Sequence, residues 1–472
     1  IMFGLGVGYQ LETLSNTHNI EKLFVCEPNR DYFYASLFAI DWDGILTRFD
    51  DLNARIYINV GDDGSNIIED LLTQFHSIGP YVLANSYFFQ SYHNALLTNA
   101  IVQLREQLKV IVAMGDFFDH AKYGVAHTTW SVEQGIPYLK KRADKLLSWD
   151  HKNTPVFIVG NGPSLDGLIS TIKEYQRSAI VISCGTALQT LHRHGIKPDF
   201  HAEIEANRST FDWAVRIGDL DYLKQITLIS CNGIHPDTCG LYKDVLLVLK
   251  EGESSTVSLT ELFGKQHPFE IVSHAYPTVT NFVANFCRSL GMQQWYLLGV
   301  DMGFVDPEYH HSKSSGYYTE KGEERYSYQE DNDTSIVTEG NFRATVRTKY
   351  EFRVSKRVLE QTLPKQAAVY NLNDGAKING AEPLRKDNII VLNDESAKQA
   401  ALTHIRNTCF TDIDRQSFVT RWRDRYDPLV LVSELKALIA LVEEPVEDRS
   451  AAESFADRQR TYLVDSLLRR KS

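Results

Sequence analysis

The residues with the clearest chemical potential form a glycine-containing turn after a short apolar run. Pro155–Val159 has the composition of a buried strand, and it is followed by Gly160, Asn161, Gly162, Pro163, Ser164, Leu165 and Asp166. Glycine permits close backbone approach, and proline suits the first turn of a helix, where its missing N–H costs nothing. The amides and the dipole at a helix N-terminus attract anions, while Ser164 adds a hydroxyl donor and Asn161 an amide that can bond a base or a ribose. The turn predicts a phosphate site, with an ordinary tight strand-to-helix turn as the alternative.

A second turn of small residues follows the next predicted strand. Ala179–Ser183 leads into Cys184, Gly185 and Thr186, and then into a segment with helical periodicity. In open α/β sheets, ligands bind outside the carboxyl ends of neighbouring strands. We therefore expect Gly185 and Thr186 to border a nucleotide crevice together with the first turn. A helix-capping role for Thr186 fits the pattern equally well.

The third predicted strand carries ionisable residues. His201 and Glu203 lie within Phe200–Ile204, and Glu205 follows the strand. We interpret His201 as an interior histidine, with a role in the crevice as the alternative. Neither glutamate has a partner at metal-ligand spacing, so the sequence indicates no metal site.

The elements that must position these turns alternate between strand and helix patterns. Such alternation predicts a parallel sheet covered by helices on both faces. We predict an α/β chain with a Rossmann-like N-terminal domain (1–145), a larger doubly wound, Rossmann-like central domain (146–390) and a helical C-terminal domain (391–472). The predicted strands are Leu23–Cys26, Arg55–Val60, Tyr81–Ala84, Pro155–Val159, Ala179–Ser183, Phe200–Ile204, Ile226–Ser230, Val245–Leu249 and Trp295–Val300, and the predicted helices are Asn94–Leu108, Leu165–Tyr175, Thr186–His194 and Leu429–Leu441.

Length and composition exclude several classes of protein. The chain has 472 residues, of which 43% are hydrophobic and 23% charged, so global disorder is excluded. A net charge of −12 argues against a DNA-packaging or RNA-coating role. The six cysteines form no C-x-x-C pair, which excludes a zinc knuckle and indicates a reduced chain.

No apolar run approaches the roughly 20 residues that a membrane helix needs, so we expect a cytoplasmic protein. The opening residues resemble the middle of a strand, and we expect the natural chain to begin earlier.

Another glycine motif lies near the beginning of the chain. Gly4, Gly6 and Gly8 precede a helical segment, and Glu27 ends the following strand. This order resembles the opening of a Rossmann-like methyltransferase, in which the acidic residue would hold ribose hydroxyls. Because no methyl-acceptor site follows, we favour a degenerate scaffold that helps to recruit an acceptor protein, and keep cofactor binding as the alternative.

One polar stretch interrupts the alternation. Residues Tyr309–Thr345 include two adjacent histidines, five tyrosines and many acidic and amide side chains. A segment of this length without periodicity is either a functional lid or disordered.

Several motifs together resemble known glycosyltransferases. The run from Gly160 to Leu165 is similar to one in bacterial sialyltransferases that use CMP-activated sugars. Their helix–strand unit is matched by Pro277–Asp301, which includes Thr278, and their His-Ser-Lys segment by His311, Ser312 and Lys313. With Cys184–Leu188, Lys197–Asp199 and Tyr370–Ile378, the arrangement resembles the motility accessory factor (Maf) family over most of the chain.

The resemblance implies a specific activity. Maf proteins attach nonulosonic acids, such as pseudaminic or legionaminic acid, from a CMP-activated donor to Ser or Thr of flagellin, with inversion. It implies His311 as the general base, with His310 as its rival, and no cofactor; the metal requirement and the oligomeric state stay open. The implied donor-binding residues are Gly160, Asn161, Gly162, Pro163, Ser164, Gly185, Thr186, Thr278, Asp301 and Lys313.

The chain departs from the sialyltransferases in one respect. Their tyrosines that bond the departing phosphate have no match directly after Asp301, since the first tyrosine is Tyr309. Tyr309, Tyr317, Lys313 and Arg343 are the candidate replacements. Two other functions stay open, namely a pterin diphosphokinase, which would need ATP and a divalent metal, and a flagellin-binding protein without activity.

Overall fold

Two separate sheets organise the protein. The computed structural model describes residues 1–52, 54–61, 86–98, 101–102, 104, 118–264, 266–306, 308–319, 321–325, 334 and 336–471. The N-terminal sheet is parallel with strand order β3-β2-β1-β4. Its strands are β1 Met2–Phe3, β2 Lys22–Glu27, β3 Arg55–Val60 and β4 Phe89–Gln90, and its helices are α1 Tyr9–Thr17, α2 Arg30–Ala39 and α3 Trp42–Asp51.

Alternate residues of β2 pack on opposite faces of this sheet. Leu23 and Val25 join one apolar cluster, whereas Phe24 and Cys26 join another. Burial on both faces is the arrangement that a parallel sheet requires.

The larger sheet has eleven strands and carries the two turns that are predicted to border a nucleotide crevice. Its order is β16-β15-β12-β6-β7-β8-β9-β10-β5-β17, with β11 paired to β10. All neighbours are parallel except β17, which runs antiparallel to β5. The strands are β5 Tyr138–Leu139, β6 Val156–Val159, β7 Ile180–Cys184, β8 Phe200–Glu203, β9 Thr227–Cys231, β10 Asp244–Lys250, β11 Ile271–Val272, β12 Gln294–Leu298, β15 Ala368–Asn371, β16 Glu382–Pro383 and β17 Phe410–Thr411; β13 Ile336–Glu339 and β14 Thr345–Thr348 form a separate hairpin.

The direction of sheet growth reverses beside β6. The chain adds β7, β8, β9 and β10 on one side of β6, then returns to place β12 and β15 on its other side. The carboxyl ends of β6 and β12 therefore form the topological switch point, where open α/β sheets bind their ligands.

Helices cover both faces of this sheet. Hydrophobic clusters on the two faces include Ile158 and Trp295 on one side and Phe157 and Tyr296 on the other. The helices are α4 Phe118–Glu133, α5 Trp149–Lys152, α6 Leu165–Tyr175, α7 Ala187–Arg193, α8 Ser209–Val215, α9 Leu220–Leu223, α10 Pro236–Cys239, α11 Ser254–Phe263, α12 Val279–Leu290, α13 Tyr350–Thr362, α14 Glu395–Thr408, α15 Arg415–Arg425, α16 Pro428–Val442 and α17 Arg449–Lys471.

The structure confirms the predicted α/β class. The predicted strands of the central domain match β6–β10 and β12 to within one or two residues at each end, and Leu165–Tyr175 matches α6. The segment from 391 onwards is helical, as predicted, but it also contributes β17 to the larger sheet. This strand has two residues, which are too few to show any periodicity. The predicted strand Tyr81–Ala84 lies outside the described residues, as does most of the predicted helix Asn94–Leu108.

The predicted helix Leu429–Leu441 lies within α16, whose side chains are exposed or partly exposed. Within the described part of the chain, no helix is both long and apolar enough to cross a bilayer. All six cysteines are buried thiols without a disulfide.

Candidate functional site

The turns after β6 and β12 interlock at the switch point. Gly160 N–H donates to Leu298 O over 2.8 Å, and Gly162 N–H donates to Gly299 O over 2.7 Å. A Cβ on Gly162 would lie 2.8 Å from Gly299 O and would also collide with the Asp301 carboxylate. These glycines are therefore required by backbone packing between the two turns.

Asp301 occupies the N-terminus of α6. Ser164 N–H lies 3.3 Å from both carboxylate oxygens of Asp301, and Ser164 Oγ donates to Oδ1 over 2.5 Å. The same hydroxyl accepts from Asp374 N–H at 2.8 Å, so Ser164 joins the turns after β6, β12 and β15. Burial, with smaller contributions from Asp374 and Asp166, raises the pKa of Asp301 to about 7.

The backbone amides of Gly160, Gly162 and Ser164 are thus engaged within the protein. The predicted phosphate contact at this helix N-terminus stays a prediction, but these three amides have partners within the protein. The two glycine amides bond the turn after β12, and the carboxylate of Asp301 takes the place of an external anion at Ser164. The sequence pattern identified a helix N-terminus with an anion, but the anion belongs to the chain.

Asn161 connects the first and second turns. Its Nδ2 donates to Thr186 Oγ1 over 2.9 Å, and its Oδ1 accepts from Thr190 Oγ1 at 3.1 Å. Thr186 is the residue that precedes α7, and Gly185 adopts a φ of 53°. Val279 at the start of α12 packs against Gly185, 3.3 Å from the position of a Cβ there. The predicted proximity of the two turns is present in the structure.

The His-Ser-Lys segment lies directly on the first turn. Ser312 N–H donates to Asn161 O over 2.9 Å, and Ser312 Oγ donates to Asp166 Oδ1 over 2.6 Å. Lys313 N–H donates to Asp166 Oδ2 over 3.0 Å. The first turn of α6 therefore holds the segment that carries the candidate base, His311.

A short hairpin positions the two histidines. Tyr318 pairs with Glu324 in an antiparallel bridge, and Arg325 N–H donates to Tyr317 O over 2.8 Å. The hydroxyl of Tyr318 accepts from the amides of His310, at 3.1 Å, and His311, at 3.4 Å.

The side chains of the two histidines and Glu324 form a continuous chain of contacts. His310 Nε2 lies 2.5 Å from Glu324 Oε1, and His310 Nδ1 lies 2.5 Å from His311 Nδ1. The His311 ring stacks on Tyr317 with 4.0 Å between centroids and 11° between planes. Burial, followed by the nearby His310 and Lys349, lowers the pKa of His311 well below its ordinary value, so this imidazole is neutral near neutral pH.

Two comparisons with known proteins concern the family of this chain. A family model described as the glycosyltransferase Maf N-terminal domain matches residues 1–113. The chain is also similar to the solved structure of a MAf glycosyltransferase from Magnetospirillum magneticum AMB-1, with 26% identity and a TM-score of 0.73 over 99% of this chain and 69% of that one. These two matches together support membership of the Maf glycosyltransferase family.

Two further comparisons concern the central domain and the curated sequences. A family model described as 6-hydroxymethylpterin diphosphokinase, MptE-like, matches residues 133–307 of this chain. That match ends just before His310 and His311, so the histidine segment lies outside the similar region. A search among curated proteins finds no match.

The remaining predicted residues have well-defined partners. Thr278 precedes α12, and its hydroxyl lies 2.7 Å from Asn281 Oδ1 and 3.0 Å from Ser355 Oγ. The ammonium group of Lys313 lies 3.9 Å from the centroid of the Tyr309 ring. Arg343 pairs with Asp374 at 2.6 Å, which makes it a weaker candidate for binding the departing phosphate.

His201 lies in β8 of the larger sheet. Its side chain is 1% exposed, with Nε2 3.1 Å from Glu203 Oε1 and the ring stacked on Tyr242. These contacts agree with its interpretation as an interior histidine. No group of three or more His, Cys, Asp or Glu side chains within the described ranges is placed to hold a metal ion.

Glu27 closes the glycine turn of the N-terminal domain. Its carboxylate accepts from the amides of Leu5, Gly6 and Asn29 at 2.8–2.9 Å, and from the Tyr92 hydroxyl at 2.5 Å. The side chain is fully buried. Four donors thus use the oxygens that a ribose would need, which favours the degenerate scaffold over a cofactor site.

Sequence reasoning missed two residues of the site, Glu324 and Lys349. Lys349 precedes α13, its side chain is 12% exposed, and its charge lowers the pKa of both His310 and His311. Neither residue belongs to a motif. A charged residue that only the fold brings next to a histidine pair has no local signal in the sequence.

Proposed function

We propose that this Maf protein transfers a nonulosonic acid of the pseudaminic or legionaminic type from a CMP-activated donor to Ser or Thr hydroxyls of flagellin. The observation that carries the proposal is the attachment of the His311 segment to the turn after β6, through Ser312 and Asp166. This contact brings a neutral imidazole to the switch point of the sheet, where α/β enzymes bind nucleotides.

The proposed reaction requires a base for the acceptor hydroxyl, because the donor sugar is already activated. A CMP-sugar already carries its leaving group, a phosphodiester at the anomeric carbon. His311 accepts the proton of the acceptor hydroxyl while the oxygen forms its bond to the anomeric carbon and the bond to the CMP phosphate breaks on the opposite face, which inverts the configuration. A neutral imidazole suits this task.

Donor binding follows from the arrangement of the two turns. We assign the nucleotide to the crevice bordered by Gly160–Ser164, Gly185, Thr186, Thr278 and Asp301. Because the amides of the first turn are engaged, the phosphate must be neutralised by side chains, and Lys313 and Lys349 are cations beside the histidine segment. We place the reaction in the cytoplasm, with no resident cofactor.

A pterin diphosphokinase is the second candidate. The match of residues 133–307 to the MptE-like family model favours it. The whole-chain similarity to a Maf glycosyltransferase favours sugar transfer, because it includes the histidine segment that the MptE-like match omits.

Intact-mass spectrometry of flagellin tests the proposal. Purified flagellin is incubated with the protein and either CMP-pseudaminic or CMP-legionaminic acid, with a reaction lacking the donor as the control. We expect flagellin to gain the mass of one or more nonulosonic acid residues with one of these donors.

Two results would contradict sugar transfer. Production of a pterin diphosphate from ATP, Mg²⁺ and hydroxymethylpterin, with unmodified flagellin, supports the kinase. Binding of flagellin without any mass gain supports a protein without activity. Thermal shifts with CMP, or with ATP and Mg²⁺, give an independent comparison, because a ligand that binds only the folded state stabilises it by mass action.

A further inference from the structure

The contacts from Glu324 through His310 to His311 point to a function for the second histidine and the carboxylate. We propose that Glu324 and His310 are positioning residues that orient His311 and stabilise the positive charge it acquires during transfer. This inference rests on the proposed function, since it assumes that His311 is the base.

The assignment of protons along the chain follows from the donor and acceptor properties of each group. An ionised carboxylate only accepts, so His310 carries its proton on Nε2, where it meets Glu324 Oε1. In a neutral His310, Nδ1 then has the lone pair, and it accepts from His311 Nδ1–H. His311 is thereby held in the tautomer whose basic nitrogen is Nε2, the atom that takes the acceptor proton.

The proton balance of the step uses this arrangement. The acceptor O–H bond breaks, its proton moves to His311 Nε2, the oxygen bonds the anomeric carbon, and the electron pair of the breaking C–O bond leaves with CMP. His311 becomes an imidazolium that keeps its Nδ1–H directed at His310. Glu324 stays ionised throughout and acts by its charge and by fixing the tautomer, as the carboxylate of a catalytic triad does.

The environment of the His311 ring makes a nearby negative charge necessary for its protonation. Burial lowers the pKa of His311, and Lys349 lowers it further, so protonation of this imidazole is costly without a compensating negative charge. Among the described residues, the groups that face the histidine pair include Tyr317, Tyr318, Lys349 and Glu324. Among these described groups, Glu324 is the one that carries a negative charge.

The hairpin supplies the geometry. The bridge between Tyr318 and Glu324 places the carboxylate opposite the tyrosine whose hydroxyl binds both histidine amides. The side chain of His310 is 1% exposed and that of Glu324 33% exposed, so the imidazole is enclosed while the carboxylate is partly screened by water.

The test compares three variants with a matched control. Glu324→Gln keeps the shape but removes the charge. His310→Asn keeps an acceptor near His311 Nδ1 but cannot reach Glu324, and His310→Gln reaches Glu324 but loses the acceptor for His311. Glu323→Gln, at the neighbouring exposed position of the hairpin, is the control. The assay is the pH dependence of kcat and kcat/KM for transfer to flagellin.

We expect Glu324→Gln to lower kcat about 10–100-fold. This loss is smaller than the loss expected on removal of the general base itself, because the carboxylate acts through an imidazole and is partly screened by water. The acid limb of kcat/KM should move to lower pH, because the loss of negative charge makes His311 less basic. KM for the donor should stay unchanged. His310→Asn should lower kcat about as much as Glu324→Gln does, and His310→Gln should lower it more. Glu323→Gln should have the kcat of the wild type.

Three outcomes separate this inference from the proposed function. Wild-type kcat and an unchanged pH profile in Glu324→Gln, with His311→Ala inactive, would overturn the positioning role and leave the base in place. A lower kcat accompanied by a lower thermal midpoint but an unshifted acid limb would also overturn it, since that result describes a hairpin that merely holds the fold. Full activity of His311→Ala would instead refute the proposed function.

Discussion

Replacement of Asp301 by Asn should change how the stability of the central domain depends on pH. Asparagine keeps an oxygen that can accept from the Ser164 hydroxyl, but it cannot ionise. Burial raises the pKa of Asp301 from 3.8 to about 7 in the folded state. The folded protein therefore binds a proton that the unfolded chain releases at much lower pH, and this contribution to stability is lost as pH rises through about 7.

The size of the effect follows from this shift. A difference of about three pKa units corresponds to about 4 kcal/mol in total, at 1.36 kcal/mol per unit. Between about pH 5 and about pH 8, the advantage of Asp301→Asn over the wild type should grow by about 2.5 kcal/mol. For a domain of this size, such a change corresponds to about 5–10 °C in Tm.

Thermal unfolding of the two proteins at several pH values measures this difference directly. Other titrating groups are common to both proteins, so they cancel in the comparison. Differential scanning calorimetry is suitable because a multidomain chain need not unfold in a single two-state transition. A gap in Tm that stays constant from about pH 5 to about pH 8 would refute the claim that burial raises the pKa of Asp301.

Four other substitutions test particular contacts. Asp166→Ala removes the acceptor for the Ser312 hydroxyl and should weaken attachment of the histidine segment by about 2–4 kcal/mol, seen as faster amide exchange at Ser312 and unchanged exchange in β6; equal protection would contradict it. Glu27→Ala leaves four donors without their acceptor and should destabilise the N-terminal domain by about 3–5 kcal/mol in denaturant unfolding, whereas a cost below about 1 kcal/mol would show that the carboxylate is not structural. Gly162→Ala should cost about 1–3 kcal/mol in the same assay because its Cβ meets Gly299 O, while Gly167→Ala, with open space around its Cβ inside α6, should gain about 0.5–1 kcal/mol; similar effects of the two would contradict the packing argument.

The fold of the central domain could be predicted because its strands are buried on both faces. Runs such as Val156–Val159 and Val245–Leu249 are continuously apolar, and the polar or glycine-rich segments between them mark the ends. The short strands β5, β11, β16 and β17 contain only two residues each, too few for any periodicity. Their positions depend on tertiary pairing, so local patterns could not reveal them.

The candidate site was predictable in position and less so in detail. The glycine turn after β6 and the histidine segment were both recognised, and the structure places them in contact through Ser312. The turn chemistry alone could not show that the anion at Ser164 is the chain's own Asp301, which lies 137 residues further on. Glu324 was likewise hidden, because a hairpin brings it to His310.

The most direct test of the central claim is single-turnover transfer to flagellin by His311→Ala, measured beside its affinity for CMP. If His311 is the base, the rate should fall about 10²–10⁴-fold while CMP affinity and Tm stay close to the wild-type values. Transfer at the wild-type rate would contradict a catalytic role for this imidazole, and an equal loss of CMP affinity would show that His311 binds the donor instead.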